Sequence, residues 1–238
     1  MKKILIPILF FTFVAQAQAQ QKVNDISQYF NCEGNLPYTE SGELRFSALA
    51  SRFLTRNGSG WRNELSKKQD LRKSMYETSE ALSGTVSFFL SPGSKTIFVQ
   101  YHDISTGTIL KVCIADTFRK NVFNGIPNDG IFDIFMCVNE PDGVERTYPF
   151  LAIESGSSFE FTMENECGDI TVSINGMKIR RTSGDSKDAY LKFGDYLQAQ
   201  DPATGEQEKN KNRYGEFYEQ HGMQQDELVF TGLAYESR

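Results

Sequence analysis

Along most of the chain apolar and polar residues alternate with a period of two in short segments, and no long stretch carries apolar positions at helical spacing. A period of two puts successive side chains on opposite faces of an extended backbone, so the pattern predicts half-buried strands over residues 46–54, 82–90, 95–104, 108–115, 131–138, 157–164, 170–174 and 228–235. Gly, Pro, Asn and Asp separate them, as turns require. Asn175-Gly176, between Ile170–Ile174 and Met177-Lys178-Ile179, predicts a two-residue hairpin, because both residues tolerate positive φ. The expectation is an all-β sandwich or jelly roll of two antiparallel sheets. No internal repeat or Pro/Ser-rich linker divides it, so residues 20–238 are expected to form one domain. Residues 198–225 are too polar for core and read as a long connection before the last strand.

Composition narrows the class. The chain has 238 residues, 39% hydrophobic and 13% aromatic, enough apolar material for a sizeable core, and a formal charge of −6. That balance argues against a nucleic-acid partner, which needs clustered Lys and Arg, but leaves room for an anionic ligand in a locally basic groove. Met1-Lys2-Lys3, the apolar run 4–14 and Ala15-Gln16-Ala17-Gln18-Ala19 have the layout of a secretory signal peptide, cleaved after Ala17 or Ala19. The run is short for a membrane span and no Cys follows to carry a lipid. A secreted or periplasmic monomer with no membrane partner is expected. In that compartment Cys32, Cys113, Cys137 and Cys167 allow three disulfide pairings, and no CxxC points to zinc. Cys113 and Cys137 lie in two apolar runs that suit neighbouring strands, where a bridge and a pair of buried free thiols are equally good readings.

Little standard chemistry is available. With only His102 and His221 no multi-histidine metal centre forms, and HExxH, GxSxG, Walker and post-strand GxGxxG motifs are missing. Asn128-Asp129-Gly130 with Asp133 matches no full calcium-ligand spacing and reads as a turn. Three segments carry more. Strand alternation aligns Gln100 with His102, and Tyr190 with Lys192, Gly194, Tyr196 and Gln198, leaving Leu191, Phe193 and Leu197 for the core. Asp195 falls on the apolar side with no evident partner. In Trp61-Arg62-Asn63-Glu64-Leu65, Arg62 shares a face with Glu64 and supplies a planar fork suited to a carboxylate.

Arg62-Asn63-Glu64-Leu65, Gln100-Tyr101-His102 and Tyr190-Leu191-Lys192-Phe193-Gly194-Asp195-Tyr196-Leu197-Gln198 resemble, in order, the RxEL, QxH and YxKxGxYxQ segments of the alginate lyases of polysaccharide lyase family 7. The resemblance implies a β-jelly roll with a concave substrate groove and β-elimination of a polyuronate, with no metal or organic cofactor. Arg62 and Gln100 would then neutralise the uronate carboxylate, and His102 would take the C5 proton. Tyr196 would donate to the leaving oxygen, or perform both transfers where the two atoms lie on one side. Lys192, Tyr190, Gln198 and Glu64 would bind substrate. The family usually continues RxEL with Arg-Glu and centres QxH on Ile or Val, whereas this chain has Ser66-Lys67 and Tyr101. Alginate is therefore the first expectation, with another polyuronate such as glucuronan as alternative.

Two rival readings use the same residues differently. In a non-catalytic carbohydrate-binding jelly roll, Trp61, Tyr190 and Tyr196 would stack on sugars. A glycoside hydrolase would need paired carboxylates, for which Glu160 and Glu164 share a strand face, although alternating acids ordinarily mark a solvated surface. His221, in the long connection, is expected to be solvated.

Overall fold

Alternation is realised plainly in Ser158–Glu166, where Phe159, Phe161 and Met163 are buried while Glu160 and Glu164 are exposed. The computed structural model describes residues 26–104, 107–118, 123, 125–140 and 142–237; the expected signal segment 1–19 lies outside the described residues. In chain order the strands are β1 Phe30–Glu33, β2 Leu44–Phe46, β3 Gly60–Lys67, β4 Ser79–Leu90, β5 Lys95–Asp103, β6 Gly107–Ala115, β7 Ile131–Asn139, β8 Glu145–Glu154, β9 Ser158–Glu166, β10 Asp169–Ile174, β11 Met177–Thr182, β12 Ala189–Gln198 and β13 Asp226–Ser237. They form a seven-stranded sheet, ordered β1-β3-β12-β5-β6-β7-β8, and a six-stranded sheet, ordered β11-β10-β9-β4-β13-β2. All pairings are antiparallel and neither sheet closes on itself. This is the expected all-β sandwich.

The inner faces meet in an aromatic core. Phe193 of β12 packs edge-on against Phe30 and Phe230, at ring separations of 5.2 and 5.7 Å. Each such ring, fully buried, contributes on the order of 1.5–3 kcal/mol by leaving water. The core also holds a charge pair. Lys67 of β3 donates to Glu80 of β4 at 2.7 Å, and the hydroxyls of Tyr101 and Tyr235 donate to the same carboxylate at 2.9 and 2.5 Å. Four groups from both sheets thus satisfy one another, which a lone buried charge could not do.

The connections depart from expectation in two places. Residues 46–54 do not continue as a strand: β2 ends at Phe46, and Ser47 caps a short helix α1, Ala48–Ser51, by accepting from the Ala50 N–H. Residues 198–225 are not merely a polar excursion. They contain the helix α2, Tyr214–Gln220, whose Tyr214, Phe217 and Tyr218 join Met223, Trp61, Leu197 and Ala48 in a second core cluster. Three apolar positions in seven residues are too few to stand out in a polar stretch. The Asn175-Gly176 hairpin forms as expected, joining β10 to β11 with both turn residues at positive φ. All four cysteines are free; Cys113 and Cys137 are buried on neighbouring strands, where burial and then the adjacent thiol push Cys113 well up.

The misfit Asp195 has a structural answer. Pairing of β12 with β5 slips between Phe193 and Tyr196, a bulge that adds a residue beside Asp195, which keeps the inward side that alternation assigns it. There it accepts from the Ala48 N–H at 2.7 Å and the Thr96 hydroxyl at 2.5 Å. Burial and the neighbouring Asp226 push its carboxyl well above the usual range. The bulge needs Gly194, whose φ is +136° and where an added Cβ would lie 2.5 Å from the Asn63 carbonyl oxygen. Gly194→Ala should therefore lower stability by roughly 2–4 kcal/mol, seen as a reduced denaturant midpoint with an unchanged slope.

Candidate active site

Three adjacent strands, β3, β12 and β5, bring the three sequence segments together on the outer face of the seven-stranded sheet. Register sets Tyr196 opposite Arg62, Lys192 opposite Gln100, and Tyr190 opposite His102. Because the strands are neighbours, side chains some 130 residues apart in sequence stand at cross-strand distance. Arg62, Gln100, His102, Tyr190, Lys192, Tyr196 and Gln198 all line one open groove of about 430 Å³. Seven of the eight expected site residues are thus assembled there.

The eighth, Glu64, expected to contact substrate, is 1% exposed and faces its neighbours instead. Its carboxylate accepts from Gln100 Nε2 at 2.6 Å, Lys192 Nζ at 3.0 Å and Arg62 Nη1 at 3.1 Å. Burial alone would raise its pKa, but Lys192 and Arg62 outweigh burial and hold it below the usual carboxylate value. Glu33, at the edge in β1, adds a second carboxylate 2.7 Å from Lys192 and 3.6 Å from Arg62. The Arg62 guanidinium lies 3.8 Å from the centre of the Tyr196 ring, which fixes its plane.

His102 lies at one end of this cluster. Its Nδ1 is 3.1 Å from the Tyr190 hydroxyl, and the Arg72 guanidinium stacks 3.6 Å from the Tyr190 ring on that side. Burial, then the positive charges of Lys192 and Arg62, lower the His102 pKa, so the neutral imidazole persists below the ordinary histidine range. At the other end the Tyr196 hydroxyl oxygen accepts the Ser59 backbone N–H at 2.5 Å, and Gln198 donates to the Tyr196 carbonyl at 3.2 Å.

Sequence reading missed the walls. Thr55, Arg56, Asn57 and Ser59 form one side of the groove, and Glu33, Lys111 and Thr108 contribute to the rest. The polar run Arg56-Asn57-Gly58-Ser59-Gly60 immediately before Trp61 was the available signal, since a Gly-rich loop abutting a charged strand is placed to close over it. Other candidates fall elsewhere. Trp61 is buried against Tyr218, at a ring separation of 5.0 Å, and offers no face to a sugar. Glu160 and Glu164 lie on the exposed face of the other sheet. Asn128-Asp129-Gly130 is a turn organised by Asp116, whose carboxylate accepts the Asn128 and Gly130 N–H groups. His221 is half-buried against Phe217, outside the groove.

Residues 3–224 match the model of a family described as alginate lyase. Among solved structures, an alginate lyase from Alteromonas sp. 272 and the polysaccharide lyase family 18 protein aly-SJ02 each align with a TM-score of 0.85 and 32% identity, over 90% of this chain and 96% of theirs. An alginate lyase from Pseudomonas aeruginosa shares the fold at a TM-score of 0.58 and 17% identity, over 94% of this chain and 90% of that one. A search of curated protein sequences finds no significant match.

The electrostatics of the groove predict a measurable titration. Observed by histidine-selective NMR, His102 should protonate with a midpoint below the ordinary value of about 6.5. Replacing Lys192 with Met should move that midpoint upward, because it removes a cation that opposes the imidazolium.

Proposed function

From the premise that this chain belongs to the alginate lyase family and is a polysaccharide lyase acting on alginate, we propose that it cleaves the polymer by β-elimination in the groove on β3, β12 and β5. The observation that carries this reading is the convergence of Arg62, Gln100, His102 and Tyr196 on one groove, with Arg62, Gln100 and the neighbouring Lys192 all anchored by Glu64.

The chemistry follows from what such a reaction demands. The C5–H beside a uronate carboxylate is a very weak acid, and its removal spreads negative charge onto that carboxylate. Arg62 and Gln100 are placed to stabilise that charge, by charge-assisted and amide hydrogen bonds respectively. His102 accepts the proton at Nε2; this requires the ring proton on Nδ1, where the Tyr190 hydroxyl oxygen accepts it. The C5–H electron pair becomes the C4–C5 double bond, and the C4–O bond breaks with its electrons on oxygen. Tyr196 protonates that oxygen. Where the C5 proton and O4 lie on one side, Tyr196 serves both transfers. Lys192 and Gln198 orient neighbouring uronates, and Glu64 acts through the three side chains it holds.

The reading extends to the whole chain: residues 20–238 work as one monomeric lyase domain, exported after cleavage behind Ala17 or Ala19. Among the described residues no helix is long and apolar enough to cross a membrane. Glucuronan is the alternative substrate, since Tyr101 stands where the family usually carries Ile or Val. That side chain is buried and bonded to Glu80, so it acts on the groove only through the backbone of β5.

Incubation with polymannuronate, polyguluronate and glucuronan separately should raise ultraviolet absorbance on at least one, from the new conjugated double bond. His102→Ala and Tyr196→Phe should each cut turnover at least about 100-fold while polymer binding changes little. Equal loss of binding would favour a carbohydrate-binding module, and new reducing ends without absorbance would favour a hydrolase.

A further inference from the structure

The segment 199–214 makes no obvious catalytic contribution, yet its polar groups converge on the loop that walls the groove. Lys211 Nζ donates to the carbonyl oxygens of Thr55 and Arg56 at 2.8 and 2.5 Å. The Tyr214 hydroxyl donates to the Gly58 carbonyl at 3.3 Å, and Gln207 Nε2 and the Ala199 N–H donate to the Ser59 carbonyl at 2.6 and 2.9 Å. Four of the five carbonyls of residues 55–59 are thus held from one distant segment. The fifth position, Asn57, lies at the tip.

What this fixes is the direction of one N–H. Ser59 donates to the Tyr196 hydroxyl oxygen at 2.5 Å, and the loop is pressed down so closely that a Cβ on Gly58 would lie 3.0 Å from Arg62 Nη2 and 3.4 Å from the Tyr196 hydroxyl. A tyrosine that gives up its proton leaves a phenolate, and a fixed backbone donor on that oxygen stabilises the charge as it develops without reorganising. Occupying one lone pair also leaves the hydroxyl proton to point away from Ser59, into the groove. Lys211 does not line the groove and touches neither Tyr196 nor Arg62.

We propose that Lys211 is a positioning residue for catalysis: by clamping the 55–59 loop it holds the Ser59 N–H on the Tyr196 oxygen. This rests on the reading of Tyr196 as proton donor. The loop has no apolar side chain to pack, Arg56 and Asn57 being exposed and Thr55 and Ser59 half-buried, so directed hydrogen bonds set its place.

The test pairs two readouts on the whole chain, steady-state lysis of the polymer and amide hydrogen exchange at Ser59 by NMR. In Lys211→Met we expect kcat to fall about tenfold or more with KM within about twofold, since the lost interaction matters only as charge develops. Ser59 exchange should quicken while the amides of β3 and β12 stay protected. Lys211→Arg, which keeps the donors and the charge, should recover most of kcat. Tyr196→Phe should quicken Ser59 exchange without Lys211 being touched. Unchanged Ser59 exchange in Lys211→Met would overturn the proposal, as would quickened exchange with unchanged kcat. Loss of protection across β3 and β12 with a parallel fall in thermal stability would assign Lys211 a purely structural role and overturn it too. If the unaltered protein yields no unsaturated product from any polyuronate, the lyase reading fails and the catalytic role of Lys211 with it, which the wild-type assay alone reveals.

Discussion

A single buried carboxylate governs the groove. Arg62 and Lys192 are two cations on adjacent strands, each almost wholly removed from water, and left alone they would repel each other and lose their hydration. Glu64 lies between them and accepts from both, and from Gln100. Removing one partner from such a cluster costs on the order of 3–5 kcal/mol, because the remaining charges stay buried and uncompensated. The same contacts hold in place three of the side chains that line the groove. Stability and preorganisation here come from one set of hydrogen bonds. The active centre is thereby tied to the sheet rather than to its loops, and the loops act on it from above.

The second constraint is that β12 must serve two sides at once. Its first half alternates regularly, Leu191 and Phe193 inward, Tyr190 and Lys192 outward. At the bulge beside Gly194 the inward Asp195 meets α1 and Thr96, and Tyr196 keeps its outward place. The irregular backbone lets Asp195 tie the strand to the helix start and to β13, through the adjacent Asp226, while the next residue enters the groove. A buried carboxyl is tolerable there because both of its oxygens have donors.

Much of this was legible in sequence, and the reasons are physical. Strands with one wet face, such as β4, β9 and β10, announce themselves by alternation, and the Asn175-Gly176 turn by its φ requirement. β3 does not alternate in exposure, because Arg62, Glu64 and Ser66 on its outer face are as buried as Trp61 and Leu65. Its identity came from the residue pattern of the site, not from hydrophobic period. Partners of buried polar groups were beyond reach, since Asp195 finds Thr96 and Ala48, about 100 and 147 residues away in the chain. So was the work of residues 199–214, whose contacts with residues 55–59 are hydrogen bonds from Lys211, Gln207, Tyr214 and the Ala199 N–H to backbone carbonyls and leave no periodic signature.

The order of strands within the sheets also sets an order in time. β12 is inserted between β3 and β5, and β13 between β4 and β2, so the last two strands of the chain complete the middle of each sheet rather than an edge. A chain emerging from its N-terminus therefore lacks the middle of the seven-stranded sheet until β12 arrives, and that of the six-stranded sheet until β13 does. Lys192 and Phe193, which anchor the groove and the core, come late, and Asp226 later still. Pairings this distant in sequence close slowly and against a large loss of chain entropy. The runs β5-β6-β7-β8 and β9-β10-β11 pair between sequence neighbours and need no such wait, so it is the joining of the first run to β3, and of β4 to β2, that depends on β12 and β13.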